Sequence, residues 1–351
     1  MRGSRTVAGT LTRTIVSFAV LVVVCHEPAR TADAVLPPAL DRYLNMVVRP
    51  TVSERRRLEA GEPVAKLLEG DTHSQVSVFG AIWIDAPIAR YVEAIRNIET
   101  FEQGKSFPMT RRISSPPRPE DFTDLRLTDE VVADLIACRV GACPLKLDAP
   151  TIDALQTRID WRSPQRHAAV EAMMRRVALT TTQAYLAGGN GRLPVYQDKP
   201  MPVSPADEFR TMVNDMPMLT AYMPSVHRYL LDYPNAVLPG ATSFLYWQEV
   251  EFGLRPTLRI SHLTIRESPE NVVVASKMIY ANHYFRSALE LRLLIPDPAR
   301  GTGFWFVSVV SSRTDGMTGF TGIFVRRKVR SEARDGTTTV LINTKKKLEK
   351  G

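Results

Sequence analysis

The stretch Val272-Val-Val-Ala-Ser-Lys-Met-Ile-Tyr-Ala-Asn-His283-Tyr-Phe-Arg-Ser-Ala-Leu-Glu-Leu-Arg-Leu-Leu-Ile295 is apolar and rich in β-branched residues over 24 positions. As a single strand it would extend about 80 Å, far beyond ordinary strand lengths. It therefore reads as two strands, with the break near Ala281-Asn282-His283. In the first of them both faces are apolar: Val272, Val274 and Met278 alternate with Val273, Ala275 and Ile279. A sheet face open to water would show cleaner polar alternation. The pattern thus predicts a sheet covered on both sides, with the helices of 165–232 as cover on the side away from the C-terminal helix.

Outward from this stretch the same period continues. Thr242–Phe252 and Thr257–Glu267 precede it, separated by Gly253-Leu-Arg-Pro256 and Ser268-Pro269-Glu270-Asn271 turns. Phe304–Ser312 follows it. Five strands joined by short turns predict an antiparallel meander. One more strand is expected at Val76–Ile84. Asp85 is expected to cap the helix that follows, with Pro87 just inside it. Helical spacing marks 35–70 as two short helices, the second running from Glu54 to Glu69. Further helices are expected at Leu127–Ala137, Thr151–Ile159, Ser163 to about Leu186, and in pieces over 205–232. Residues 104–128, with Pro108, Pro116, Pro117 and Pro119, read as irregular. Gly188-Gly189-Asn190-Gly191 reads as a helix end. It lacks the Lys-Ser/Thr of a phosphate loop and follows a helix rather than a strand. Met212, Met216, Met218 and Met223 read as soft core packing or as an adaptable apolar surface. A long basic helix over 316–348 closes the chain.

Residues 1–34 read as a secretory signal. Arg2, Arg5 and Arg13 precede the eleven-residue apolar run Ile15–Cys25, and Ala32-Asp33-Ala34 offers a small-x-small cleavage pattern. The expectation is export, with cleavage before Val35 and a periplasmic or secreted product; a retained anchor is the alternative. The 351 residues carry a net charge of +8, 44% hydrophobic and 23% charged residues, the balance of an ordinary globular chain. The signal holds four arginines against Glu27 and Asp33, so its loss takes the charge from +8 to +6. Much of the remainder sits in Arg326, Arg327, Lys328 and Arg330 and in the tail Lys345, Lys346, Lys347 and Lys350. This suits contact with an anionic membrane surface, or equally a solvated helix face. No nucleic-acid signature is present.

After the signal, Cys138 and Cys143 are the only cysteines. Gly141 permits a tight turn between them, and an oxidising compartment favours closing the loop as a disulfide. A zinc site lacks further ligands, and the spacing is not the C-x-x-C of redox motifs. No metal or cofactor is implied.

The order strand, helix, helical insertion, meander, long terminal helix resembles a START-like or SRPBCC helix-grip domain. The resemblance covers about 76–98 and 242–348. The runs Cys138-Arg-Val-Gly-Ala-Cys143-Pro-Leu-Lys146-Leu147 and Ser276-Lys-Met-Ile-Tyr-Ala-Asn-His283-Tyr-Phe285 are similar to those of an uncharacterised group of exported bacterial proteins. The implied fold is α+β: an antiparallel sheet gripping a long C-terminal helix, with a large helical insertion at about 100–240. The domain would span 76–348, after a helical segment at 35–75. Such folds host carriers, cyclases and stress proteins, so the fold alone names no activity.

No H-E-x-x-H, G-x-S-x-G or S-x-x-K context follows the signal. Glu249 and Glu251 share a strand face at acid–base spacing, which is also how a solvated outer face reads. His262, inside an apolar strand, and His283, at the strand break, read as structural groups or as polar anchors in a ligand tunnel. Lys277 and Arg313 are placed similarly, and Asp315 reads as a local ion-pair or capping partner. The expected function is binding of a lipid-like or other apolar small molecule between the sheet and the C-terminal helix. Trp305 and Tyr280 would form the wall, with His283, His262 or Arg313 as anchor. The alternatives are a cyclase- or hydrolase-type enzyme using one of these histidines, or a ligand-free envelope interaction protein.

Overall fold

A computed structural model describes residues 36–70, 74–251, 255–315 and 319–350; the expected signal segment lies outside the described residues. The chain is α+β, built on one eight-stranded antiparallel sheet in the order Val64–Leu67 (β1), Gln75–Ile84 (β2), Phe304–Thr314 (β8), Phe285–Pro296 (β7), Val272–Ala281 (β6), Thr257–Glu267 (β5), Ala241–Val250 (β4), Met109–Arg112 (β3). The meander is Ala241–Val250 (β4), Thr257–Glu267 (β5), Val272–Ala281 (β6), Phe285–Pro296 (β7) and Phe304–Thr314 (β8). The 24-residue run does break where expected. Tyr284 adopts a positive φ of 59° between β6 and β7.

Three strands complete the sheet. Gln75–Ile84 (β2) pairs along its full length with β8, Val78 opposite Val310 and Ile84 opposite Phe304. Val64–Leu67 (β1) and Met109–Arg112 (β3) form the two edges. These edges correct the sequence reading. The helix expected over Glu54–Glu69 ends at Glu59 (α2, Val52–Glu59), because Gly61 and Glu62 close it with backbone bonds to Leu58 and Arg57 and Pro63 bars its continuation. The four residues after Pro63 then pair with β2. Likewise, the segment read as irregular over 104–128 supplies β3, since β4 leaves an unpaired edge for it to satisfy. Asp85 caps no helix either. The helix Ile88–Arg96 (α3), which the short Ile98–Phe101 helix (α4) follows, starts after Pro87 without a side-chain cap, and the Asp85 N–H donates to Glu349.

The terminal helix Gly319–Glu349 (α10) lies over β1 and β2. Its contact face explains Gly80. A Cβ there would come within 2.6 Å of Thr337 and 3.2 Å of Leu341, so only a glycine lets the helix approach this closely. Ile82, Ile84, Phe306, Val274 and Leu263 share this side with Leu341, Leu348 and α3. A polar network also sits on it. Arg292 reaches Glu102 and Glu290 and donates to the Tyr91 hydroxyl at 3.1 Å.

The opposite face is also covered, as the two-sided apolar pattern predicts. Pro38–Tyr43 (α1), Pro205–Asn214 (α8) and Pro224–Asp232 (α9) bury Leu40, Phe209, Met212, Val226 and Leu230 against Val273, Ala275, Leu291, Val307 and Val309. Arg166–Gly188 (α7) crosses the β4–β6 end, where Tyr185 and Ala178 pack with Ile260, Ile279 and Tyr280. A satellite core joins Asp129–Ala137 (α5), Ala149–Arg158 (α6) and the foot of α7 around the Cys138–Cys143 disulfide. The fold is therefore helix-grip-like, with helices on both faces of the sheet.

Candidate functional site

Two helical segments on the face away from α10 contain wide, π-type turns. Leu44–Val48 follows α1 and ends at Arg49 in the left-handed region, φ 50°. Met218–Tyr222 lies between Pro217 and Pro224, which keep the neighbouring helices from merging. Such turns widen a helix locally and recur at functional sites. The second borders a cavity of about 280 Å³, and the first follows directly on Tyr43, which also lines it. Its floor is the sheet, through Val273, Leu293, Ile295 and Val307. Its walls are Leu40 and Tyr43 from α1 and Met218, Tyr222 and Met223 from the second turn, with Arg266, Glu270 and Asn271 among its polar lining. So two of the four methionines line the cavity, while Met212 and Met216 are buried in the core beside it.

Two polar atoms of this lining are buried and have no hydrogen-bond partner: the Tyr43 hydroxyl and Asn271 Oδ1. Tyr43 is 2% exposed and meets Tyr222 edge-on at 5.4 Å. Burial, and then Tyr222, push its phenol well above the ordinary value, so it stays an O–H. A buried unpaired polar group costs about 1–3 kcal/mol, and so needs a reason. A hollow of about 340 Å³ lies near Arg96, Glu99 and Arg112, where Arg96 pairs with Glu267 and the Arg112 backbone N–H donates to Glu99.

Further along the same face of β5 and β6 lies a second cluster. His262 is four residues from Arg266 on one strand face, about 13 Å by strand rise. Its Nδ1 lies 2.9 Å from the Tyr185 hydroxyl, and its ring 4.7 Å from that of Tyr233. Lys277, opposite it on β6, is 1% exposed. The Lys277 ammonium donates to Asn190 Oδ1 and lies over the rings of Phe209, at 4.4 Å, and Tyr185, at 4.8 Å. It makes no ion pair among the described residues. Burial lowers Lys277 to about 7, and burial together with Lys277 lowers His262 to about 3. The glycine cluster after α7 serves this site. Gly189 has φ +62°, and a Cβ there would meet the Tyr233 carbonyl at 1.7 Å. That close approach places Asn190, whose Nδ2 donates to the Leu230 and Leu231 carbonyls.

A third, charged cluster pins the end of β8 to the insertion. Asp315 joins Lys146, Lys199 at 2.9 Å and Arg286 at 2.5 Å, while Arg286 and Arg313 share Glu208. Burial opposes ionisation of Asp315, but Lys146, Arg286 and Lys199 outweigh it and hold the carboxyl near 2.

The residues expected to form one tunnel are spread over these places. Tyr280, His283 and Arg313 border the charged cluster: the Tyr280 hydroxyl donates to the Lys146 carbonyl, burial lowers His283 to about 4, and Arg313 holds Glu208 at 2.5 Å. His262 belongs to the Lys277 cluster. Trp305 sits apart, its Nε1 donating to Asp297 at 3.1 Å and its ring 5.6 Å from Trp83. None of the five lines the cavity. Strand alternation turns Trp305, with Val307 and Val309, toward the helical insertion and away from α10. Glu249 is raised by burial and then by Glu251.

Tyr43 and Asn271 were not singled out in the sequence. The one local signal is Asn271's place in the Ser268–Asn271 turn; nothing along the chain marks Tyr43. Compared with protein-family models, with curated proteins and with solved structures, the chain matches none.

Proposed function

We propose that this chain is a binding protein for a lipid-like or other apolar small molecule, held between the sheet and the α1, Met218–Tyr222 and α9 segments. The observation that carries this reading is the cavity of about 280 Å³, apolar except for a few polar groups, two of them buried without partners. Small-molecule sites have this form: an apolar wall with a few placed polar atoms. The methionine side chains at its edge suit a ligand of variable shape. The START-like resemblance supports carriage of an apolar ligand, but with the ligand on the face opposite α10. Export to the periplasm or medium fits the N-terminal segment. The exposed Arg327, Lys328, Arg334, Lys346 and Lys347 of α10 would then offer a basic surface to anionic membrane.

The test is mass spectrometry of organic extracts from the purified protein, beside a Val273→Trp variant that fills the cavity from its floor. A co-purifying apolar molecule that disappears from the folded variant supports the reading. A wild-type protein that carries nothing and binds no apolar probe defeats it.

A further inference from the structure

We infer that the exposed rim of α1 and α2 beside the cavity docks on a bilayer of anionic phospholipid, inserting Met46 and Val52 and setting Arg42 and Arg56 on the lipid phosphates. This rests on the reading of the cavity as a ligand site and names the surface through which an apolar ligand would be exchanged.

The cavity reaches solvent beside α1 and α9, since Ala39, Pro224 and Ser225 line it and are exposed. An outward row begins at this point on α1. Ala39, Arg42 and Met46 follow at spacings of three and four and are exposed, while Leu40, Tyr43 and Leu44 between them are buried. Met46 is 65% exposed, and its sulfur accepts from the hydroxyl of Tyr222, a cavity residue. Val52, the first residue of α2, is 69% exposed, and Arg56 is exposed one turn further along. The backbone that presents these side chains is held in place. Arg55 donates to Asp41 and to Asn45 at 2.9 Å, the Lys66 ammonium donates to the Arg49 carbonyl at 2.5 Å, and Thr51 and Glu54 form a reciprocal cap on α2. The same bonds use up the nearby carboxylates: Asp41 and Glu59 serve Arg55, and Glu54 serves Lys66. Arg42 and Arg56 make no ion pair among the described residues.

Single exposed apolar side chains are ordinary. Here two stand on a fixed turn with two free arginines, at the edge of an apolar cavity. Apolar groups to insert and cations for phosphates are what binding to an anionic bilayer requires. A bilayer is also where an apolar ligand resides when no protein carries it. The basic helix α10 offers charge, but Val340, at 38%, is its one large exposed apolar side chain among the described residues.

The experiment is co-sedimentation of Val35–Gly351, which forms one compact unit, with vesicles of phosphatidylglycerol and phosphatidylcholine in equal parts. Arg42→Gln and Arg56→Gln should each weaken binding about fivefold. Met46→Ser combined with Val52→Ser should weaken it about tenfold or more. Lys328→Glu with Lys346→Glu on α10 should change it less than about threefold. A Met46→Trp variant should gain an emission that shifts to the blue on the vesicles. All these positions are exposed, and urea melts check that each variant folds. Binding lost in the α10 variant and kept in the rim variants would overturn the inference, as would a vesicle-bound Met46→Trp protein with unshifted emission. So would a dimer in vesicle-free solution that the Met46→Ser, Val52→Ser variant dissolves, since the rim would then belong to a second copy. Wild-type protein that ignores the vesicles, yet carries a co-purifying apolar molecule, would overturn the docking surface and leave the cavity a ligand site. Vesicle binding through the rim by a protein that takes up no apolar molecule would support the docking surface and defeat the reading beneath it.

Discussion

Replacing Lys277 with methionine should stabilise the protein at pH 6 and destabilise it at pH 10.5. Lys277 is buried without a counter-ion, and burial lowers it from 10.5 to about 7. At 1.36 kcal/mol per unit, this difference is a penalty of about 5 kcal/mol on the charged form. Because the folded value lies below the unfolded one, the penalty is complete below pH 7, where both states hold the proton. It fades as pH rises toward 10.5, where the unfolded chain loses its proton too. Methionine is of similar length and carries no charge, so it removes the penalty. It also leaves Asn190 Oδ1 without its donor, at about 1–3 kcal/mol. The balance is a gain of about 2–4 kcal/mol at pH 6 that turns into a loss of about 1–3 kcal/mol at pH 10.5. Urea melts followed by tryptophan fluorescence at pH 6, 8 and 10.5 would read the crossing. A variant less stable at pH 6, or a difference that does not change with pH, would refute the claim that Lys277 is buried as an uncompensated amine.

Tyr43→Phe should raise the stability of the ligand-free protein by about 1 kcal/mol in a urea melt, because it removes a buried hydroxyl that bonds to nothing. His262 is lowered from 6.5 to about 3, so the unfolded chain binds the extra proton first and stability falls as pH drops from 6.5 to 3. His262→Gln should flatten that limb by several kcal/mol, measured as melting temperature against pH. Gly80→Val should cost about 1–3 kcal/mol in the same melts, since the added side chain meets Thr337 and Leu341 and lifts α10 from β2. Thiol titration of the denatured, unreduced protein should find Cys138 and Cys143 blocked, and their joint replacement by alanine should cost about 2 kcal/mol, as expected for so short a loop.

The sequence by itself determined the α+β class, the meander of 241–314, the break after Ala281, the long terminal helix and the need to cover both sheet faces. These are local properties. Side chains alternate every two residues in a strand and recur every three or four in a helix, so the apolar pattern reports the element and the faces it must bury. The proximity of Cys138 to Cys143 likewise lies within six residues. The tertiary structure decided what depends on distant partners. Strands β1 and β3 are four residues each, too short to show a period, and exist because β2 and β4 offer free edges to pair. The desolvation of Lys277 depends on Asn190, Tyr185 and Phe209, which belong to other elements. The cavity depends on α1 and the Met218–Tyr222 turn meeting the far ends of β6, β7 and β8. A pattern along the chain reports which side chains must be buried. Whether their packing leaves a gap, and which polar atoms go unpaired in it, depends on surfaces that meet only once the chain has folded.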